Sequence, residues 1–307
     1  MKRRTLLAAA AGGVAGSVAG CAVAPFVASG LPARAELRAV PFFPQTRYHC
    51  GPAALATVLV HTGIDTTPER VADTVFLPAR EGSLQLEMLA AARRAGALAV
   101  LLPPDMKSLW REVAAGTPVV ALQNLGLAIA PLWHYAVAVG YDLDTQTALL
   151  RSGTTEREVM PLYTFEATWA RSGHWAFAAL PPGRLPLTAT EADAASAALG
   201  FERTAAPQAA LRAYDSVLER WPDNAIAGLG QGNTRGALGD WAGAAQSFER
   251  VAQRHDGAAA WHNLGVARWH LGQRDAAHEA AQRALARAQA AEPQWREAAR
   301  ALVELTR

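Results

Sequence analysis

The segments 238-LGDWAGAAQSFERV-251 and 271-LGQRDAAHEAAQRA-284 superimpose at a shift of 33 residues. A third segment, 207-PQAALRAYDSVLERWP-222, superimposes on the first of them at a shift of 34. Each copy carries alanines and large apolar residues at helical spacing, and the period is long enough for two helices. A lone pair of helices cannot bury its own apolar face. The three copies must therefore stack, with a last helix over Glu292–Thr306 covering the end of the array. The sequence thus predicts an all-α solenoid over residues 194–307.

The repeat resembles the tetratricopeptide (TPR) repeat. In that family's pattern Trp261, Leu264, Gly265, Ala277 and Ala284 fall on signature positions of the last copy. Ala244 and Phe248 do so in the middle copy, and Ala210, Tyr214 and Pro222 in the first. The middle copy departs from the pattern, with Gly228 and Gln231 where bulky apolar residues are usual. The resemblance implies a concave groove that takes a protein partner or substrate.

The other end of the 307-residue chain opens MKRRTLLAAAAGGVAGSVAG, basic residues ahead of a short apolar stretch and then small residues. That is the layout of an export signal, here residues 1–20, and it is too short and glycine-rich for a permanent span. Its end, Val18-Ala19-Gly20-Cys21, resembles a bacterial lipobox. The resemblance implies cleavage after Gly20, a lipid on Cys21, and a periplasm-facing protein held at the outer membrane. Arg3-Arg4 also fits a twin-arginine signal, so the export route stays open. Residues 21–36 read as a tether. With Cys21 lipidated, Cys50 has no second cysteine in the chain to pair with, and an unpaired thiol in an oxidising compartment points to chemistry.

Between tether and repeats, residues 37–182 read as helices first and an antiparallel sheet second, an α+β domain. Helices are predicted over 50–61, 68–74, 82–96 (Ser83 as N-cap) and 106–116. Strands are predicted over 97–102, 117–122, 134–142, 147–153 and 174–180, with a turn at 142–146. Residues 183–193 form a proline-rich linker. The formal charge of +2 excludes the dense basic field that nucleic acid requires. The histidines lack ligand spacing, and 228-GLGQG-232 belongs to a repeat helix, so neither a metal nor a nucleotide cofactor is expected.

Within 45-QTRYHCGPAAL-55, Cys50 sits where a helix begins. The positive end of a helix favours a thiolate, Gly51 lets a substrate approach the backbone, and Pro52 suits a first turn. By itself this stretch is equally a buried, inert cysteine. Gln45 is placed to offer its amide to an oxyanion. Among the histidines, His134 opens a strand, His174 is the runner-up, and His61 lies too far along the helix.

Together the run Q-x4-C-G-P-A-A-L, the helix starting G-S-L, then G-T-P-V-V and H-Y-A-V-A-V-G-Y-D resembles the C39-like cysteine peptidases of papain-like fold, over about residues 40–180. The resemblance implies Cys50 as nucleophile, His134 as base and acid, and Gln45 in the oxyanion hole. It departs at one point. Where the family carries an Asp-Pro that orients the histidine, this chain has Arg151 and Ser152. Ser152 can accept from the imidazole but stabilises its cation less well. Two alternatives therefore stand beside a thiol peptidase: a degenerate lipoprotein acting through its TPR groove, and a cysteine acyltransferase using the same pair.

Overall fold

The computed structural model describes residues 25–44, 49–75 and 83–307. Its centre is one antiparallel sheet. The strands are β1 (Arg34–Glu36), β2 (Leu98–Leu101), β3 (Val119–Asn124), β4 (Trp133–Asp142), β5 (Thr147–Ser152), β6 (Thr155–Pro161) and β7 (Ala176–Leu180). They run in the order β2-β7-β3-β4-β5-β6, and β1 adds to the far part of β4. On one face lie α1 (Cys50–His61), α2 (Pro68–Val75) and α3 (Gln85–Arg94). On the other lie α4 (Met106–Ala114) and α5 (Leu162–Ala170).

The alternation of β4 assigns its residues. Tyr135, Val137 and Val139 pack with Leu55, Val58 and Leu59 of α1, whereas Ala136 and Ala138 pack with Leu109, Trp110 and Phe165. Helix α1 is buried from Gly51 to Leu59, all round its circumference, so it is a core helix rather than an amphipathic one. The α+β domain is as the pattern predicts, with two strands and one helix beyond it: β1, β6 and α5.

The expectation of a featureless tether over residues 21–36 is corrected for its described part. The backbone of Phe26 is bonded both ways to the side chain of Gln146, at 2.7 and 3.1 Å. Phe26 and Leu31 pack onto the core beside α4, and residues 34–36 pair with β4. A bulge in β4 between Ala138 and Gly140 lets Val139 accept from the Leu37 amide at 2.7 Å. Gly140 is required there, because a Cβ would stand 2.6 Å from the Ala35 carbonyl oxygen. Helix α3 is a second correction. It starts at Gln85 with Leu84 as N-cap, and Ser83 makes no cap.

Arg151, in the place of the family's Asp-Pro, is a buried clamp. Its guanidinium donates to the Val40 carbonyl at 3.1 and 3.2 Å and to the Glu156 carbonyl at 2.6 Å. It therefore fixes the segment that leads toward Gln45. Arg151→Leu leaves the Val40 carbonyl buried without a donor, and we expect it to cost about 3 kcal/mol in urea unfolding. A loss below about 1 kcal/mol would mean that the clamp does not hold this segment.

The helical array pairs α6 (Glu191–Glu202) with α7 (Pro207–Arg220), α8 (Ala225–Ala237) with α9 (Trp241–His255), and α10 (Ala258–His270) with α11 (Arg274–Ala290). A short 3-10 turn, Pro293–Trp295, leads into the last helix, α12 (Arg296–Thr306). The repeat residues Ala210, Tyr214, Ala244, Phe248, Trp261, Leu264, Ala277 and Ala284 are all buried. The two departures have physical reasons. A Cβ on Gly228 would press into Val251, so glycine lets α8 and α9 approach closely. Gln231 is buried but paired, donating to Asp215 at 2.6 Å and accepting from Ser247 at 2.7 Å.

Residues 183–193 are not a free linker. Leu185 and Ala189 join a core shared by Leu98 and Val100 of β2 with Ala194 and Phe201 of α6. The buried Glu112 accepts from the backbone and hydroxyl of Thr188, at 2.5 and 2.7 Å.

Candidate active site

Cys50 is the first residue of α1 and is half-buried, a free cysteine. Gln45 and Cys21, also expected to be functional, lie outside the described residues. Burial pushes the Cys50 thiol up, and the backbone N–H groups of Tyr135, Gly51 and Cys50 itself only partly oppose it. The expected lowering by the helix N-terminus is thus corrected. The amides of Cys50 and Gly51 at the helix start do favour the thiolate, but desolvation of a sulfur packed against the core outweighs them.

The same amide of Tyr135 locates the sulfur. It brings Cys50 to the start of β4, one peptide bond from His134. Tyr135 also packs edge-on against Trp175 and donates its hydroxyl to the Ser83 carbonyl at 3.2 Å. Burial pushes its phenol strongly up, with Cys50 adding to the effect.

Gly51 serves packing rather than open access. A Cβ there would lie 2.6 Å from Ser83 Oγ and 3.2 Å from Met88 Sδ, so α3 and its leading loop fill that side. The reading of Gly51 as an opening for substrate is corrected accordingly.

His134 is half-buried, and its Nε2 lies 2.9 Å from Ser152 Oγ. Ser152, at the irregular end of β5, is buried. Burial lowers the His134 pKa, and the Glu158 carboxylate works against that shift. Ser152, expected as an orienting residue, thus lies within hydrogen-bond distance of the imidazole, and the imidazole and thiol are both disposed to be neutral. Glu158 was not foreseen because it belongs to β6, an edge strand with charged residues on it and no clean alternation. Gln123 was not foreseen either. It pairs with His134 in the β3–β4 register, is buried, and donates to Thr168 at 2.7 Å.

The other candidates are engaged elsewhere. His174 bonds Glu166 at 2.8 Å and stands edge-on to Trp169 at 4.7 Å. His61 faces the Gly116 carbonyl. Asp142, a carboxylate near the end of β4, is likewise engaged, accepting from the amides of Asp144 and Thr145 in its own turn. Among the described residues no group of three or more His, Cys, Asp or Glu side chains is placed to hold a metal ion.

Residues 37–177 match the Peptidase_C39 like family, so the sheet-containing part of the chain is a C39-like domain; the TPR-like helices α6–α12 follow it. Solved structures similar to parts of the chain are of both kinds. One is a Bacillus anthracis protein described as a C39-like peptidase. It has 19 % identity and a TM-score of 0.41, covering 48 % of this chain and 97 % of that one. A second is the peptidase domain of Streptococcus ComA, a bi-functional ABC transporter involved in quorum sensing. It has 21 % identity and a TM-score of 0.39, covering 46 % of this chain and 98 % of that one. A third is the Sgt2 TPR domain of Aspergillus fumigatus, at 20 % identity and a TM-score of 0.35, covering 38 % of this chain and 76 % of that one. No curated protein matches the chain in sequence.

Proposed function

We propose that the chain is a thiol peptidase that hydrolyses a peptide or protein through a Cys50 thioester. The observation that carries this reading is the Cys50 sulfur beside the Tyr135 amide, next to a histidine whose Nε2 is already engaged by Ser152. With Ser152 accepting from Nε2–H, Nδ1 is the nitrogen with a lone pair. Nδ1 takes the thiol proton as sulfur bonds to the substrate carbonyl carbon. It returns that proton to the amine nitrogen as the C–N bond breaks. Water then attacks the thioester carbon and gives a proton to the imidazole. The C–S bond breaks, and the proton returns to sulfur. Gln45 and the amides at the start of α1 serve the oxyanion. The TPR-like groove recruits a protein partner or the substrate, and a lipid on Cys21 holds the protein in the cell envelope facing the periplasm.

The reactive state carries one proton shared between sulfur and imidazole. It is lost on the acid side when His134 protonates, which burial moves below the ordinary value. It is lost on the alkaline side when the thiol ionises without its partner, which burial moves above the ordinary value. Hydrolysis is therefore expected to stay level between about pH 6.5 and 8.5. A limb of the kcat/KM profile inside that interval would contradict the assignment.

The test of the function itself is cleavage of a peptide library by wild type and by Cys50→Ala, read by mass spectrometry in heavy-oxygen water. Cysteine-dependent products with heavy oxygen in the new carboxylate support hydrolysis. Cysteine-dependent amides formed with an added amine support acyl transfer. No cysteine-dependent product favours the second reading, an interaction lipoprotein, which the serine in the orienting position also favours.

A further inference from the structure

The β3–β4 connection is an apolar knob. From Val113 to Tyr141 the chain has no Asp, Glu, Lys or Arg. At the tip, Ile129 is 92 % exposed, Leu127 64 %, Leu132 62 % and Trp133 51 %, with Leu125 beside them. Such side chains in water are unfavourable, and a cluster of them marks a contact surface.

The backbone of the knob is largely closed on itself. Leu125 N donates to the Leu132 carbonyl, and Leu127 and Ala130 exchange N–H···O bonds. Asn124 Oδ1 accepts from the amides of Gly126 and Leu132 at 3.0 and 2.9 Å. Arg171 donates to the carbonyls of Asn124 and Gly126 at 2.9 and 3.0 Å, leaving an exposed cation at the base of the knob. Addition of a polypeptide strand would need free edge amides and carbonyls, and the knob offers few. A convex, uncharged tip that satisfies most of its own backbone instead suits hydrocarbon, where unpaired backbone groups are costly. Trp133 and Arg171 then stand at the level of the headgroups, where such side chains favour an interface.

We propose that the 125–133 knob is a bilayer-insertion element that seats the mouth of the Cys50–His134 site on a membrane surface. Trp133 immediately precedes His134, so insertion of the tip brings the start of β4 to the lipid boundary.

The experiment uses residues 22–307, which contain every described residue and lack Cys21, so lipidation does not enter the result. The probe is vesicles of phosphatidylethanolamine and phosphatidylglycerol, read by flotation. Wild type is expected to float. It should still float at roughly 1 M salt, where the Debye length is about 3 Å and purely electrostatic attachment is screened. The double variant Leu127→Ser with Ile129→Ser is expected to stay at the bottom. A control, Leu187→Ser with Leu305→Ser, removes exposed leucines elsewhere and should float. Wild type that does not float overturns the proposal, as does a double variant that floats like wild type. If wild type ignores vesicles and the double variant instead raises KM for an apolar peptide, the knob is a substrate ridge and the proposal is likewise overturned.

Discussion

His134→Ala should slow the alkylation of Cys50 by iodoacetamide at pH 7 by about 10²-fold, the contribution expected of one positioned base. The physical cause is the state of the thiol. Packed against the core, Cys50 holds its proton above the ordinary range, so at neutral pH little thiolate forms without help. The base must come from the start of β4, where the Tyr135 amide reaches the sulfur and His134 precedes it. The deficit should shrink as pH rises. Once the solution is basic enough to ionise the thiol directly, the imidazole is no longer needed and the two proteins should converge. His174→Ala is the matched control. Its imidazole is bonded to Glu166 beside Trp169, and its loss should leave the labelling rate unchanged. Equal rates for wild type and His134→Ala across the pH range would remove the base from the mechanism and sink the peptidase reading.

What could be read from the sequence depended on how many residues carried each signal. Helix α1 and the β4 run H-Y-A-V-A-V were legible because long apolar patterns have one good way to be buried. The repeats were legible because three copies state the same pattern. The three-residue β1 is too short to show alternation, and it exists because the bulge at Val139 frees a carbonyl for Leu37. Strand β6 is exposed along most of its length, so its residues need not alternate, and Glu158 stayed hidden with it. The direction of the Cys50 shift was misread for a different reason. A helix N-terminus is visible in sequence, whereas the packing of sulfur against Tyr135 and the α1 core is a tertiary fact. The nearness of Ser152 to His134 was legible because the pairing of β4 with β5 sets it, a local geometry.

That placement supports the most informative substitution. Ser152→Asp should raise the rate of Cys50 alkylation at about pH 7.5 by roughly tenfold for each unit by which the imidazole pKa rises. Ser152 Oγ is 2.9 Å from Nε2 in a buried position, so the new carboxylate has the imidazole as its nearest partner. A charge there stabilises the imidazolium, and within the one-proton state the balance moves from thiol and imidazole toward thiolate and imidazolium. The same shift moves the acid limb of the profile up, because the doubly protonated form is stabilised too. The variant should therefore be faster in the middle of the pH range and lose its reactivity earlier on acidification. Ser152→Asn, similar in size and uncharged, should do neither, which separates charge from bulk. Thermal unfolding of both variants checks that the buried substitution is accommodated. If Ser152→Asp folds and binds the imidazole, seen as a raised His134 pKa by NMR, yet Cys50 labels as before, then His134 does not act on the thiol. The Cys50–His134 pair would in that case be a packing relation, and the work of the chain would lie in its TPR-like groove.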